Sequence, residues 1–201
     1  MRLRGVLTFP GVAHVLQTER LLLRPWSADD VALLSALSSI PRVTRYISDG
    51  RTWSAMKAIA VADAAIKHWQ QHGFGWRVVS QLSSGDDIGL LALNLMGEGT
   101  PGLSPDEYEI GWWLSPAHWG HGYSTEAALA VASDAFTALG ATELTARIHP
   151  DNHASLAVAG HLGMEFAFNT VSPPGVPVSV YRLESAPEPL SRAIAGPARR
   201  S

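Results

Sequence analysis

The chain has 201 residues, 46% of them hydrophobic and 16% charged, which suits one soluble domain with room for a real core. A formal charge of −3 argues against a broad basic surface for nucleic acid, and the absence of cysteine excludes a disulfide framework, a cysteine nucleophile and a cysteine metal cluster. No apolar run approaches the ~20 residues needed to span a membrane, and Pro10 and His14 interrupt any signal-peptide core, so a cytoplasmic protein is expected.

Residues 1–14 read as an extension. Leu16 to Arg24 alternates as a strand that Pro25 ends. Ser27-Ala28-Asp29-Asp30 is a helix-start pattern, and the helix is expected to run to about Leu37, before Pro41. Ser54 to His72 has apolar residues at helical spacing (Ala55, Ile59, Ala62, Ile66, Trp69), with Gly73 as its stop. Phe74–Ser80 and Ile88–Met96 read as strands joined by the turn Ser83-Ser84-Gly85-Asp86-Asp87. Tyr108–Leu114 is a further strand.

A glycine-containing loop follows, then a helix from Ser124 to Leu139 whose apolar face carries Ala128, Val131, Ala132, Ala135, Phe136 and Leu139. Glu143–Ile148 is a strand, Asn152–Leu162 a short helix, and Met164–Val171 with Val178–Glu184 a closing antiparallel pair. Residues 185–201 read as a disordered tail rich in proline and arginine. The order β-α-α-β-β-β-α-β-α-β-β predicts a mixed α/β sheet, mostly antiparallel. Its parallel crossover runs from Tyr108 to Ile148.

The most informative segment is Trp112-Trp113-Leu114-Ser115-Pro116-Ala117-His118-Trp119-Gly120-His121-Gly122-Tyr123-Ser124-Thr125-Glu126-Ala127. It leads from a strand through two glycines into a helix. A helix start exposes about four backbone N–H groups, and its dipole adds positive charge. Glycines allow close approach, so the segment is a candidate seat for a phosphate-bearing cofactor. The loop lacks the Gly-Lys-Ser/Thr of a triphosphate-binding loop. Thr125 replaces the third glycine of a dinucleotide fold.

Three segments, in this order and on these elements, resemble the GNAT superfamily of acyl-CoA N-acyltransferases. They are Glu109-Ile110-Gly111-Trp112-Trp113-Leu114; Trp119-Gly120-His121-Gly122-Tyr123-Ser124-Thr125-Glu126-Ala127; and Pro150-Asp151-Asn152-His153-Ala154-Ser155 followed by His161-Leu162-Gly163-Met164. The opening Leu16-Gln17-Thr18-Glu19-Arg20-Leu21-Leu22-Leu23-Arg24 resembles the ribosomal-protein alanine N-acetyltransferase branch.

The resemblance implies a single domain over 15–184 with a splayed central sheet flanked by helices, and acetyl-CoA as cosubstrate. Its pyrophosphate would rest on Gly120, His121, Gly122, Tyr123 and Ser124. Its arm would lie along the strand ending Trp113-Leu114, with Trp119, Asn152 and Ser155 nearby. The loop departs from the superfamily at Trp119, His121 and Ser124. His121 stands where Lys or Arg is common and brings less charge when neutral.

An amine must be neutral to attack a thioester. Free alkylamines titrate near ~10 and α-amino groups near ~8, so a base or water relay is needed at pH 7. Glu109 is the first candidate, with Glu107 on the same side of the strand; the plainer reading of either is a paired or solvated carboxylate. Many superfamily members place a Tyr seven residues after the Asn, where this chain has Ala159. Ser155 is the candidate donor to the leaving thiolate, and helix capping is its other reading, shared with Asn152. The backbone N–H of Trp113 or Leu114 is a candidate for polarising the carbonyl. Direct transfer without an acyl-enzyme is expected.

His118, His121, His149 and His153 lack the acid that would complete a helical metal motif, so no metal is expected. Arg42 and Arg45 read as solvated charges, with attraction of an acidic substrate as the other reading. The acceptor is expected to be a primary amine, either a protein N-terminus or a small molecule. The protein is expected to be a monomer or homodimer without nucleic acid or membrane partners. The competing readings are a non-catalytic acyl-CoA-binding module and a transferase using another acyl-CoA.

Overall fold

A computed structural model describes residues 15–173 and 175–187. The expected extension (1–14) and most of the expected tail (188–201) lie outside the described residues. Eight strands form one sheet: β1 Leu16–Gln17, β2 Leu21–Pro25, β3 Arg77–Gln81, β4 Asp87–Leu95, β5 Tyr108–Leu114, β6 Leu144–Ile148, β7 Glu165–Ser172 and β8 Val176–Leu183. The helices are α1 Val31–Ser38, α2 Pro41–Thr44, α3 Ala55–His72, α4 Tyr123–Thr137 and α5 His153–Leu162. The spatial order is β1-β2-β3-β4-β5-β6-β8-β7. All neighbours pair antiparallel except β5 and β6, which are parallel.

The expected first strand is a hairpin. The Thr18 N–H donates to the Leu21 carbonyl at 2.9 Å, which turns the chain between β1 and β2. Pro25 is the last residue of β2 rather than the breaker after it. The expected helix from Ser27 begins as a 3-10 turn, Ala28–Asp30, and continues as α1. Asp30 anchors it by accepting from the Ser27 N–H at 2.8 Å and from Arg24 at 2.7 Å. Burial acts on Asp30 in the opposite direction, but these bonds hold its carboxyl below the ordinary carboxylate range. Pro41 opens α2, an element absent from the expected order, because proline suits a first helical position.

In α3, Ser54 caps the N-terminus by accepting from the Lys57 N–H, and Gly73 at φ +73° closes the C-terminus. The buried stripe is Ala58, Ala62 and Ala65, whereas Ile59 is 47% exposed. Of the expected stripe, Ala62 is buried and Ile66 and Trp69 pack against the core, whereas Ala55 and Ile59 face outward. Small alanines let α3 lie close to its neighbours, and the contact with α1 sets which stripe is inside.

Two cores sandwich the sheet. Leu91, Ile110, Leu114, Leu144, Ile148 and their neighbours pack under α4 and α5. Trp26, Val78 and Leu90 pack under α1 to α3 with Leu34, Leu37 and Ala62. Alternation along β5 therefore sends Ile110, Trp112 and Leu114 toward α4 and α5, and Glu109, Gly111 and Trp113 toward α1 to α3.

Strands β4 and β5 hold register from Gly89↔Leu114 to Leu95↔Tyr108. Strands β5 and β6 share only the pair Glu109↔Thr145. Beyond that pair the two strands part, and the sheet opens at their C-terminal ends. Strand β8 inserts beside β6, so the closing hairpin completes the sheet beyond the gap.

Candidate active site

A cavity of about 770 Å³ occupies the β5–β6 gap. Ile110 to Leu114 form one wall and Ala146 to His149 the other. The glycine loop, the start of α5 and α2 complete it.

The β4 register decides which β5 backbone groups face the opening. Met96 N–H donates to the Glu107 carbonyl and Ser115 N–H to the Ile88 carbonyl. By alternation, Gly111 and Trp113 also turn their backbone groups toward β4, while Trp112 and Leu114 turn theirs toward the gap. Of the pair considered for polarising a carbonyl, Leu114 therefore presents its N–H and Trp113 does not. The Trp113 side chain packs on the other face, with its ring 5.2 Å from that of Trp53.

Next comes the glycine loop. Gly120 and Gly122 both have φ +78°, a left-handed geometry that side chains resist, and Gly122 is the N-cap of α4. Among the described residues, no protein acceptor is taken by the backbone N–H groups from Gly120 to Thr125; the first to find one is Glu126, which bonds the Gly122 carbonyl. This run of free donors at a helix start fits an anionic phosphate group. Tyr123, Ser124 and Thr125 line the cavity beside it. Trp119 also lines it and donates its indole N–H to the Leu114 carbonyl at 2.8 Å, pinning the loop to β5. The His121 side chain is absent from the lining and sits near the Tyr123 ring.

Arg20, unassigned in the sequence reading, braces this loop from the β1–β2 turn. Its Nη1 donates to the His121 carbonyl at 3.0 Å, its Nε pairs with Glu126 at 2.6 Å, and its guanidinium lies 4.6 Å over the Tyr123 ring. Glu126 is buried in the first turn of α4 and also accepts from Thr18 Oγ1 at 2.6 Å and the Arg20 N–H at 2.9 Å. The only local signal was an acid in a first helical turn, which suits the dipole; nothing local pointed to a partner 106 residues away.

At the start of α5, Asn152 Oδ1 accepts from the Ser155 N–H at 3.2 Å, so the capping reading holds for that pair. The Ser155 hydroxyl accepts from the Trp112 indole N–H at 3.2 Å. Its own O–H donates to no protein group among the described residues and is available to the cavity that Ser155 lines.

Glu109 is placed differently. Its two oxygens accept from Arg147 Nε at 2.6 Å and Nη2 at 3.0 Å, and Arg147 Nη1 donates to Thr100 Oγ1 at 2.6 Å. Arg147 lines the cavity; Glu109 does not. Glu107 is also engaged, with Thr145 at 3.1 Å and Arg182 at 3.4 Å.

Among the described residues no group of three or more His, Asp or Glu side chains is placed to hold a metal ion. No described helix is long and apolar enough to cross a membrane.

A parted parallel pair with a donor-rich helix start at its mouth is what the resemblance to acyl-CoA transferases implies, and the comparisons agree. Residues 20–165 match the acetyltransferase (GNAT) domain family. The FsC-acetyl coenzyme A-N(2)-transacetylase of Aspergillus fumigatus is 30% identical, covering 80% of this chain and 71% of its own length. An acetyltransferase structure from Agrobacterium tumefaciens is 29% identical with a TM-score of 0.73, covering 90% of this chain and 99% of that one. A ribosomal L7/L12 α-N-protein acetyltransferase, RimL, solved with coenzyme A, has a TM-score of 0.67 at 16% identity and covers 85% and 97%; that likeness is of fold.

The chain belongs to the GNAT acetyltransferase family. It is an acyl-CoA-dependent N-acyltransferase.

Proposed function

We propose that this enzyme moves the acetyl group of acetyl-CoA to a primary amine by direct attack on the thioester. The observation that carries this reading is the parted β5–β6 pair, with free N–H groups at Gly120 to Thr125 at its mouth. The thioester supplies an activated acyl carbon. The amine nitrogen bonds to that carbon and loses a proton, the carbon–sulfur bond breaks, and the thiolate takes up a proton.

The residues divide the work by position. Gly120, His121, Gly122, Tyr123 and Ser124 seat the pyrophosphate, His121 through its backbone alone. Trp119 and Asn152 wall the cofactor groove, and Trp113 backs it from the opposite face. The Leu114 N–H faces the gap and suits the carbonyl oxygen that gains charge. The free O–H of Ser155 suits the departing sulfur, and the Trp112 indole fixes its oxygen.

For Glu109 the geometry argues against direct proton abstraction, because both oxygens already accept from Arg147 and neither lines the cavity. We assign it instead to holding Arg147, and the proton of the amine to water in the cavity.

A thermal-shift titration with acetyl-CoA, desulfo-CoA and NAD, followed by thiol detection over an amine panel, tests the reading. Acetyl-CoA at 100 times its dissociation constant should stabilise the fold by about 2.7 kcal/mol. A shift with NAD and none with acetyl-CoA would remove the cofactor assignment.

A further inference from the structure

The cavity is lined unevenly in charge. The whole chain carries a formal −3, yet Arg42, Arg45 and Arg147 line the cavity against one carboxylate, Asp151. Arg147 is already neutralised by Glu109. Arg42 and Arg45 make no ion pair among the described residues. Each lies instead over an aromatic ring, Arg42 at 5.0 Å from that of Trp119 and Arg45 at 5.1 Å from that of Tyr46. Stacking uses the guanidinium face and leaves the N–H fork at its edge free for a planar oxyanion.

The two arginines serve different ends of the gap. Trp119 opens the glycine loop at the end of β5, so Arg42 sits beside the phosphate seat. Tyr46 meets the ring of His149 at 5.0 Å, just past the end of β6. Arg45 therefore stands toward the β6 wall of the gap. His149 Nδ1 accepts from the Asp151 N–H at 3.1 Å, which leaves Nε2 carrying the proton of the neutral ring as a further donor.

On the transferase reading above, we infer that the acceptor carries a carboxylate or phosphate close to its amine. Arg45, with His149 against the same Tyr46 ring, is the specificity-determining residue that receives that group. The alternative source of the same chemistry is a phosphate of coenzyme A.

The test uses the full chain and amines matched except in charge. These are peptide amides beginning Ala-Asp or Ala-Asn, and β-alanine against β-alaninamide, each with acetyl-CoA and thiol detection. The acidic member of at least one pair should have a kcat/KM higher by about ten-fold or more, the size of one charge-assisted hydrogen bond. Arg45→Gln should bring that ratio close to one and Arg45→Glu should invert it. The acetyl-CoA dissociation constant by isothermal titration should stay within about two-fold, since a lost phosphate contact would cost more. Having two variants guards against one that folds poorly.

Equal rates within every pair overturn the inference and leave the transferase reading standing. A ratio that survives Arg45→Glu also overturns it. A ten-fold weaker acetyl-CoA affinity in the variants, with the ratio unchanged, gives Arg45 to the cofactor and overturns it too. No thiol release with any amine sinks the transferase reading, and the inference with it.

Discussion

The two faces of the β5–β6 gap are built from different chemistry. On the α4–α5 face the donors are backbone N–H groups from Gly120 to Thr125 and hydroxyl side chains, Ser155 among them. On the α1–α3 face they are guanidinium groups and rings: Arg147 tied to Glu109, and Arg45 over Tyr46. Backbone donors are held rigidly by the helix and recognise any phosphate. Long side chains, set by packing, can discriminate between acceptors. On the function proposed above, the first set suits the shared cosubstrate and Arg45 in the second suits the acceptor.

The largest expected effect probes the hydroxyl against the ion pair. If Ser155 donates to the departing sulfur, Ser155→Ala should lower kcat by about 10²-fold, the lower end for positioned proton donors. Glu109→Gln, which removes charge from Arg147 but no direct base, should cost less than about ten-fold on that same scale. Single-turnover rates with a saturating amine separate the two. The reverse order would return Glu109 to the role of base and leave Ser155 as a cap.

A smaller effect is expected at the brace behind the phosphate seat. Arg20→Ala removes the bond to the His121 carbonyl and strips a charged partner from Glu126. The KM for acetyl-CoA should rise about ten-fold, equivalent to ~1.4 kcal/mol, with kcat little changed. Arg20→Lys can restore the ion pair but cannot bridge both Glu126 and the His121 carbonyl. It should recover thermal stability more fully than KM. If KM and stability recover together, the brace is structural only.

The smallest effect lies on the α1–α3 face and concerns stability rather than chemistry. His68 on α3 donates from Nδ1 to the Phe74 carbonyl at 2.9 Å, and its Nε2 accepts from the Leu95 N–H at 3.1 Å. Burial first, and His72 less so, push its pKa below the ordinary value of 6.5, against the opposing bond to Phe74. Below 6.5 the unfolded chain binds the proton and the folded chain resists it. The His68 contribution is therefore full above 6.5 and is lost as pH falls from there toward the folded-state pKa. Melting temperatures from pH 7.5 to 5 should fall more steeply in the wild type than in His68→Gln; parallel curves would contradict this.

Much of the fold was legible along the chain. Strand β5 was read with the same bounds, Tyr108–Leu114, and α3 differs only by its cap, Ser54. Those elements carry period-two or helical apolar patterns closed by glycine or a capping residue, and such signals act within one turn or strand. The first turns of α3 differ, with Ala58 inside rather than Ala55 and Ile59, because a helix rich in alanine has little apolar contrast, and α1 decides which side is covered. Helix α2 was missed because Pro41 serves equally as a stop and as a first residue.

The sequence alone determined the family and marked the glycine loop that we propose as the seat of the cofactor. Two glycines between a strand and a helix can make a phosphate seat from backbone alone, and glycine is needed wherever φ is positive. Only the tertiary structure decided what the charged side chains do. Glu109 meets Arg147 across 38 residues and Arg20 meets Glu126 across 106, and no local periodicity encodes either partner. Ion pairs form wherever packing brings opposite charges together, so their roles become visible only once the sheet has closed around the gap.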